Sequence, residues 1–233
     1  MELRSEKHLP KSRDYCRQCI RPAGHCYCAQ IKKFDPKVQF VILIHPIEQR
    51  RQIATGRMAH LCLEQSTLIP GYNYTEDAQV NAILKNDSLY PVILFPGPTS
   101  INLSHLSSET RDGLFPKNKK LVVFVIDGTW NTARKTMHLS GNLKTLPRVC
   151  FSPTTPSEFR VRKQPTAECY STIEAIHQTI ELLGTEQGFD LESRHHDQLL
   201  NTFRWMVQAQ LSTYASAPKL RRVKVDRYGN TVE

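Results

Sequence analysis

Three short stretches of this chain are apolar almost without interruption. Val38–His45 (VQFVILIH), Tyr90–Phe95 (YPVILF) and Leu121–Ile126 (LVVFVI) are rich in Val and Ile and lack the alternation of a half-exposed strand. Each therefore reads as a strand covered on both faces. Apolar residues recur at helical spacing over Ile53–Glu64, Glu76–Leu84, Thr132–Leu139, Ser171–Leu183 and His195–Tyr214. Buried strands alternating with helices predict an α/β domain on a mainly parallel sheet flanked by helices. Two polar, proline-rich segments, 96–109 and 151–165, lie just beyond expected strands. An open parallel sheet forms its ligand crevice at the carboxyl ends of its strands, so both segments are candidates for substrate handling.

Length and charge divide the chain further. Its 233 residues suit one large α/β domain with a short accessory module. The expected division is a basic N-terminal segment with a cysteine module (1–37), the α/β domain (38–217) and a basic C-terminal tail (218–233). The net charge is +9, of which residues 1–37 carry +5 and residues 218–233 carry +3, leaving the body nearly neutral. Positive ends on a neutral body suit a polyanion; two solvated tails are the alternative. The N-terminus has no apolar leader and no stretch is long enough to cross a bilayer, so a cytoplasmic protein is expected.

Four of the seven cysteines crowd together as Cys16, Cys19, Cys26 and Cys28. A C-x-x-C pair followed by C-x-C offers the four thiolates of a tetrahedral zinc site in a segment too polar to fold unaided. With all four positions filled by protein, such a zinc is structural. Gly24 is expected to ease the bend before the second pair, with His25 a neighbour rather than a ligand. A redox C-x-x-C is the main competitor, but no strand precedes Cys16.

The third apolar run leads directly into Asp127-Gly128-Thr129-Trp130, which puts a carboxylate, a turning glycine, a capping hydroxyl and a broad aromatic face at a strand's carboxyl end. Its company makes it specific: HPIEQRRQIATGRMA at 45–59, LFPGP at 94–98, SEFRVRKQP at 157–165 and CYSTIEA at 169–175. Together with the cysteines, these segments resemble the DTW-domain family, and its bacterial tRNA-uridine aminocarboxypropyltransferases in particular, over nearly the whole chain. The resemblance implies a SPOUT-like α/β fold, knotted in many members, and S-adenosylmethionine as donor of a 3-amino-3-carboxypropyl group. It also implies transfer to N3 of a tRNA uridine, at position 47 in the bacterial enzymes, with release of 5′-methylthioadenosine.

On that reading Asp127, Thr129 and Trp130 are the catalytic candidates, with Asp127 either a general base toward N3 or a ligand of the transferred ammonium. Phe95, Pro96, Gly97, Gly128, Tyr170, Ser171, Thr172 and Glu174 join Asp127 as cofactor-binding candidates. Among them Ser171 and Glu174 also form a capping box, and Gly97 offers its backbone to adenine or ribose. Arg160 and Arg162 alternate with Val161, so an extended loop would aim both to one side, toward phosphate. Lys163, Arg50, Arg51 and Arg57 extend that RNA-binding set, though solvated side chains would look the same. The histidines, His195 and His196 among them, read as surface or core residues rather than ligands. Two rivals stand beside this reading: a SPOUT-type RNA methyltransferase, and a non-catalytic zinc-containing RNA-binding protein.

Overall fold

The three apolar runs become the middle of one sheet. The computed structural model describes residues 15–162, 166, 169–216, 224–225 and 231–232. Its main sheet comprises β1 (Gln39–Ile44), β2 (Ser66–Pro70), β3 (Leu89–Leu94), β4 (Ile101–Asn102), β5 (Lys120–Asp127) and β6 (Arg148–Cys150), in the order β2-β1-β5-β3-β6-β4. Every pairing is parallel. The expected strands are β1, β3 and β5, which lie side by side and are covered on both faces. The strands that hydrophobicity did not mark are β2 and β4 at the edges and the three-residue β6.

Because successive side chains point to opposite faces, each central strand feeds two cores. Phe40 and Ile42 of β1, Val92 of β3, and Leu121, Val123 and Val125 of β5 pack on one side. Val41, Leu43, Ile93, Val122 and Phe124 pack on the other. The first side is covered by α2 (Thr55–Cys62), α7 (Thr172–Leu183) and α8 (Asp197–Ser216), which also contact one another. The second is covered by α3 (Ala78–Leu84), α5 (Trp130–Leu139) and α6 (Gly141–Lys144), through Val80, Met137 and Leu143. Two short helices, α1 (Pro46–Gln49) and α4 (Ser108–Asp112), fill connections. The five expected helices are α2, α3, α5, α7 and α8, with ends displaced by at most two residues, the ordinary scatter of fraying termini.

The cysteine segment shares the core of the body. Cys19, Tyr27 and Phe34 are buried in the same cluster as α2, α7 and α8. Arg21, 1% exposed, donates from Nε to the His25 carbonyl at 2.8 Å and from Nη2 to Gln210 on α8 at 3.2 Å. His25 Nε2 lies 3.0 Å from the Thr213 hydroxyl, and Gln198 donates to the Gln30 carbonyl at 2.7 Å. Of the expected tail, Lys224–Val225 and Thr231–Val232 form a two-strand antiparallel ladder; the rest of 218–233 lies outside the described residues. No helix among the described residues is long and apolar enough to cross a membrane.

Phe124 is fully buried at the centre of the sheet, whereas Tyr72 is 58% exposed. Phe124→Ala should lower the free energy of unfolding by about 3–5 kcal/mol in a denaturant titration, and Tyr72→Ala by no more than about 0.5 kcal/mol.

Candidate active site

The order of the strands creates a crevice. From β1 the chain runs outward to β2, then crosses to place β3 on the other side, and β5 is inserted between β1 and β3. The carboxyl end of β5 thus lies at a point where the winding of the sheet reverses, where open α/β sheets bind ligands. A cavity of about 430 Å³ opens there, within the range of small-molecule sites. Phe95 and Pro96 enter it from the end of β3, Asp127 to Trp130 from β5, Cys150 and Phe151 from β6, Tyr170 to Thr172 from the start of α7, and Thr55 from the start of α2.

Local chemistry fixes these positions. Thr129 is the N-cap of α5 and accepts from the Thr132 amide at 3.2 Å. Gly128 is required by close packing, since a Cβ there would stand 2.5 Å from the Thr132 hydroxyl. Trp130 begins the helix with its ring 6.4 Å from that of Phe95, and Phe151 lies 5.7 Å from Tyr170. Two aromatic pairs therefore line the cavity and offer stacking faces to a planar ligand.

Asp127 is the buried carboxylate among the residues that line the cavity. It is 4% exposed; Oδ1 accepts from the Thr172 hydroxyl at 2.6 Å, while Oδ2 is buried without a hydrogen-bond partner of good geometry among the described residues. The backbone amide of Gly56 draws weakly on the carboxylate, and a Cβ at Gly56 would lie 2.5 Å from Asp127 Cγ. Burial pushes the Asp127 carboxyl up to about 6. The Thr172 hydroxyl opposes this, Glu48 adds to it, and Arg162 draws it back.

Several expected ligands are engaged elsewhere. Glu174 is buried and accepts from the Ser171 amide and hydroxyl, the Ser157 hydroxyl and the Glu158 amide at 2.6–2.8 Å. The capping box is present, but this carboxylate anchors the 157–158 loop and does not line the cavity. Gly97 also stands off the cavity, its amide bonded to the Ser100 hydroxyl at 2.9 Å in a local turn. Ser171 and Thr172 do line the cavity, with their hydroxyls directed to Glu174 and Asp127.

The cations separate in the same way. Arg57 is 7% exposed and donates to the carbonyls of Gln49 and Arg51, so it braces the loop after β1 from within and is not a surface cation. A turn closed by the Arg162 amide on the Phe159 carbonyl at 3.1 Å breaks the extended geometry expected of 160–162. Arg160 consequently faces solvent, whereas Arg162 turns inward, lines the cavity and forms a two-pronged pair with buried Glu48 at 2.8 and 3.1 Å. Arg50 and Arg51 remain exposed, Arg51 lying 3.2 Å from Glu48; Lys163 lies outside the described residues. Sequence reasoning missed Glu48, Thr55 and Gly56. For Gly56 the sole signal is a glycine inside a helical pattern, which marks a close approach.

Remote from this cavity, the Sγ atoms of Cys16, Cys19, Cys26 and Cys28 lie within 4.8 Å of one another, with Cys16–Cys28 and Cys19–Cys26 each at 3.6 Å. Zinc–sulfur bonds of about 2.3 Å give tetrahedral edges of about 3.8 Å, so the cluster is compatible with zinc. Its bend is made by Ile20, left-handed at φ 54°, while Gly24 keeps an ordinary backbone.

Asp127 also couples stability to pH. The folded chain holds its proton more tightly than the unfolded chain, so the stabilising contribution is complete below the ordinary value of 3.8 and is lost as pH rises to about 6. Asp127→Asn should therefore stabilise the protein by about 1–3 kcal/mol at pH 8 and by almost nothing at pH 3.5, as denaturant titrations at the two pH values would read.

The sequence matches the DTW domain over residues 13–211. It is 29% identical over 181 residues to a Drosophila melanogaster tRNA-uridine aminocarboxypropyltransferase 2, covering 75% of this chain and 68% of the fly protein. A Mus musculus tRNA-uridine aminocarboxypropyltransferase 2 is 25% identical, over 73% of this chain and 57% of its own length. An Arabidopsis thaliana tRNA-uridine aminocarboxypropyltransferase A is 24% identical, over 94% of this chain and 89% of its own. No solved structure matches. The matched domain takes in the whole parallel sheet, the cysteine cluster and the Asp127, Thr129 and Trp130 signature at the mouth of the cavity, and the chain belongs to the DTW-domain family.

Proposed function

We propose that this chain is a tRNA-uridine aminocarboxypropyltransferase acting on N3 of a uridine. The reading is supported by the names of its relatives and, in the structure, by one observation above all. A buried carboxylate, one of whose oxygens has no partner among the described residues, with a proton affinity raised toward neutrality, stands in an aromatic-lined cavity at a strand's carboxyl end. S-Adenosylmethionine, when bound, supplies an electrophilic carbon next to a sulfonium leaving group. Balance then requires that a bond form between uridine N3 and that γ-carbon, that the carbon–sulfur bond break toward the neutral thioether, and that the N3 proton pass to a base.

Asp127 takes that proton in this proposal. A carboxylate that titrates near 6 is ionised at neutral pH yet basic enough to assist removal of the imide proton. Thr172 fixes its orientation through Oδ1, leaving Oδ2 for the proton. Trp130 with Phe95, and Phe151 with Tyr170, supply faces for adenine and uracil. Arg162, the sole cation among the described lining residues, favours the carboxylate of the transferred group, and Glu48 holds it in place. Arg50, Arg51 and Arg160 form the RNA-facing set, with Arg57 withdrawn from it. The Cys16, Cys19, Cys26 and Cys28 cluster holds a structural zinc.

Incubation with unmodified tRNA and S-adenosylmethionine should yield 5′-methylthioadenosine and an aminocarboxypropyl-uridine by mass spectrometry. S-Adenosylhomocysteine with a methylated base would instead establish the methyltransferase, and no product from a folded, zinc-loaded preparation would leave an RNA-binding protein. The transfer rate should rise through about pH 6 to a plateau. Asp127→Asn should lose about 10²–10⁴-fold in kcat with little change in donor affinity. A large rise in donor Kd instead would make Asp127 the ligand of the donor's ammonium. Replacing Arg50, Arg51 and Arg160 together by Ala should weaken tRNA binding and flatten the log–log salt dependence by about two to three. An unchanged slope would remove these residues from the RNA surface.

A further inference from the structure

Away from the cavity, four potential metal ligands converge where two helices meet. His177 and Glu181 are one turn apart on α7, and His196 and Asp197 stand at the beginning of α8. One ligating atom from each lies within 4.8 Å of all the others. His177 Nε2 is 2.9 Å from Asp197 Oδ1 and 3.9 Å from Glu181 Oε1. His196 Nε2 is 2.8 Å from Glu181 Oε1 and 3.9 Å from Asp197 Oδ1. A zinc ion with bonds of about 2.0–2.2 Å to nitrogen and oxygen has ligand-to-ligand edges of about 3.3–3.6 Å, and these four distances straddle that range.

The surroundings of the cluster favour a cation. Both imidazoles are buried and stack with centroids 4.8 Å apart, so their Nε2 atoms face the same carboxylates. His196 is fully buried with no partner on Nδ1 among the described residues, so its polar bonding is directed through Nε2 into the cluster. The two carboxylates bring two negative charges. Among the described residues Arg194 is ion-paired to both, 2.7 Å from Glu181 Oε1 and 2.6 Å from Asp197 Oδ1. That side chain is 51% exposed, so it covers the cluster from the solvent side.

We infer that His177, Glu181, His196 and Asp197 form a second metal site, for a divalent ion of the zinc class, in which the ion takes over from Arg194 the neutralisation of the two carboxylates. Two nitrogen and two oxygen donors suit a first-row transition ion rather than calcium or magnesium, which prefer oxygen alone. Four protein ligands close the site, and none of them lines the cavity, so the ion is structural. It would tie α8 to α7, the helix whose first turn supplies Thr172 to Asp127 and Glu174 to the neighbouring loop. Binding moves each ring proton from Nε2 to Nδ1, and in His196 that nitrogen is buried without a partner. This cost makes the site weaker than four thiolates, so it fills second.

The test uses the full chain, saturated with zinc, desalted and analysed by mass spectrometry for metal. Wild type should hold two zinc per chain, and the Glu181→Gln, Asp197→Asn double variant, which keeps side-chain size and hydrogen bonding, should hold one. Arg194→Gln should tighten the second equivalent by about tenfold in a zinc titration, because it removes the competing cation. In cobalt(II) substitution the second equivalent should add ligand-field bands with no thiolate charge transfer. Those bands without any thiolate charge transfer at all would refute zinc at the cysteine cluster and leave this site standing. One zinc per chain in wild type, Arg194→Gln and the double variant alike would overturn the proposal, as would a second equivalent that survives unchanged in the double variant.

Discussion

The hydrogen bond from Thr172 to Asp127, 2.6 Å long and buried, joins the last residue of the central strand to the first turn of α7 across 45 residues of chain. Most of the site depends on it. Without this donor the carboxylate at the end of β5 would keep only the charge of Arg162 and a weak contact with Gly56 against the burial that favours its protonated form. With it, the carboxylate is oriented, one oxygen is left over, and proton affinity settles between that of a free carboxylate and that of a fully desolvated one. The approach of α2 at Gly56 and the closure of α7 by its capping box both serve to hold that arrangement. Burying a carboxylate at this point costs stability wherever the group is ionised.

The fold was legible where burial was two-sided. Continuous Val and Ile runs marked β1, β3 and β5 because strands covered on both faces have no polar side to break the pattern. The edge strand β2, with its sequence STLIP and only Ile69 buried, has neither continuity nor clean alternation; β4 and β6 are shorter than any periodicity can register. Helices were found because an amphipathic stripe survives in sequence. The shared core of the cysteine segment was not legible, since it rests on contacts such as Arg21 to Gln210 that no local pattern encodes.

The site was legible as a place more than as a set of bonds. Asp127, Thr129, Trp130, Phe95, Pro96, Tyr170 and Thr172 all line the cavity. Individual bonds were not legible where a side chain has a protein partner close by. Glu174 is saturated by its own cap and loop, and Arg162 turned inward because a buried Glu48 was within reach. A cation in sequence has no direction until the acid that claims it is known. His196 shows the same limit from the other side, since nothing in a His-His dipeptide reveals a carboxylate fifteen residues upstream on a neighbouring helix.

The seating of the cysteine segment on α8 also dictates an order of assembly. Arg21 and Gln210 are 189 positions apart, and His25 and Thr213 are 188 apart. During synthesis the four cysteines leave the ribosome well before the helix against which their segment packs. The segment therefore waits for its partner helix, and its thiols stay accessible to metal or oxidant in that interval. Capture of an ion by the early cysteines would shield them through that interval and deliver an already shaped knuckle to α8 when it arrives.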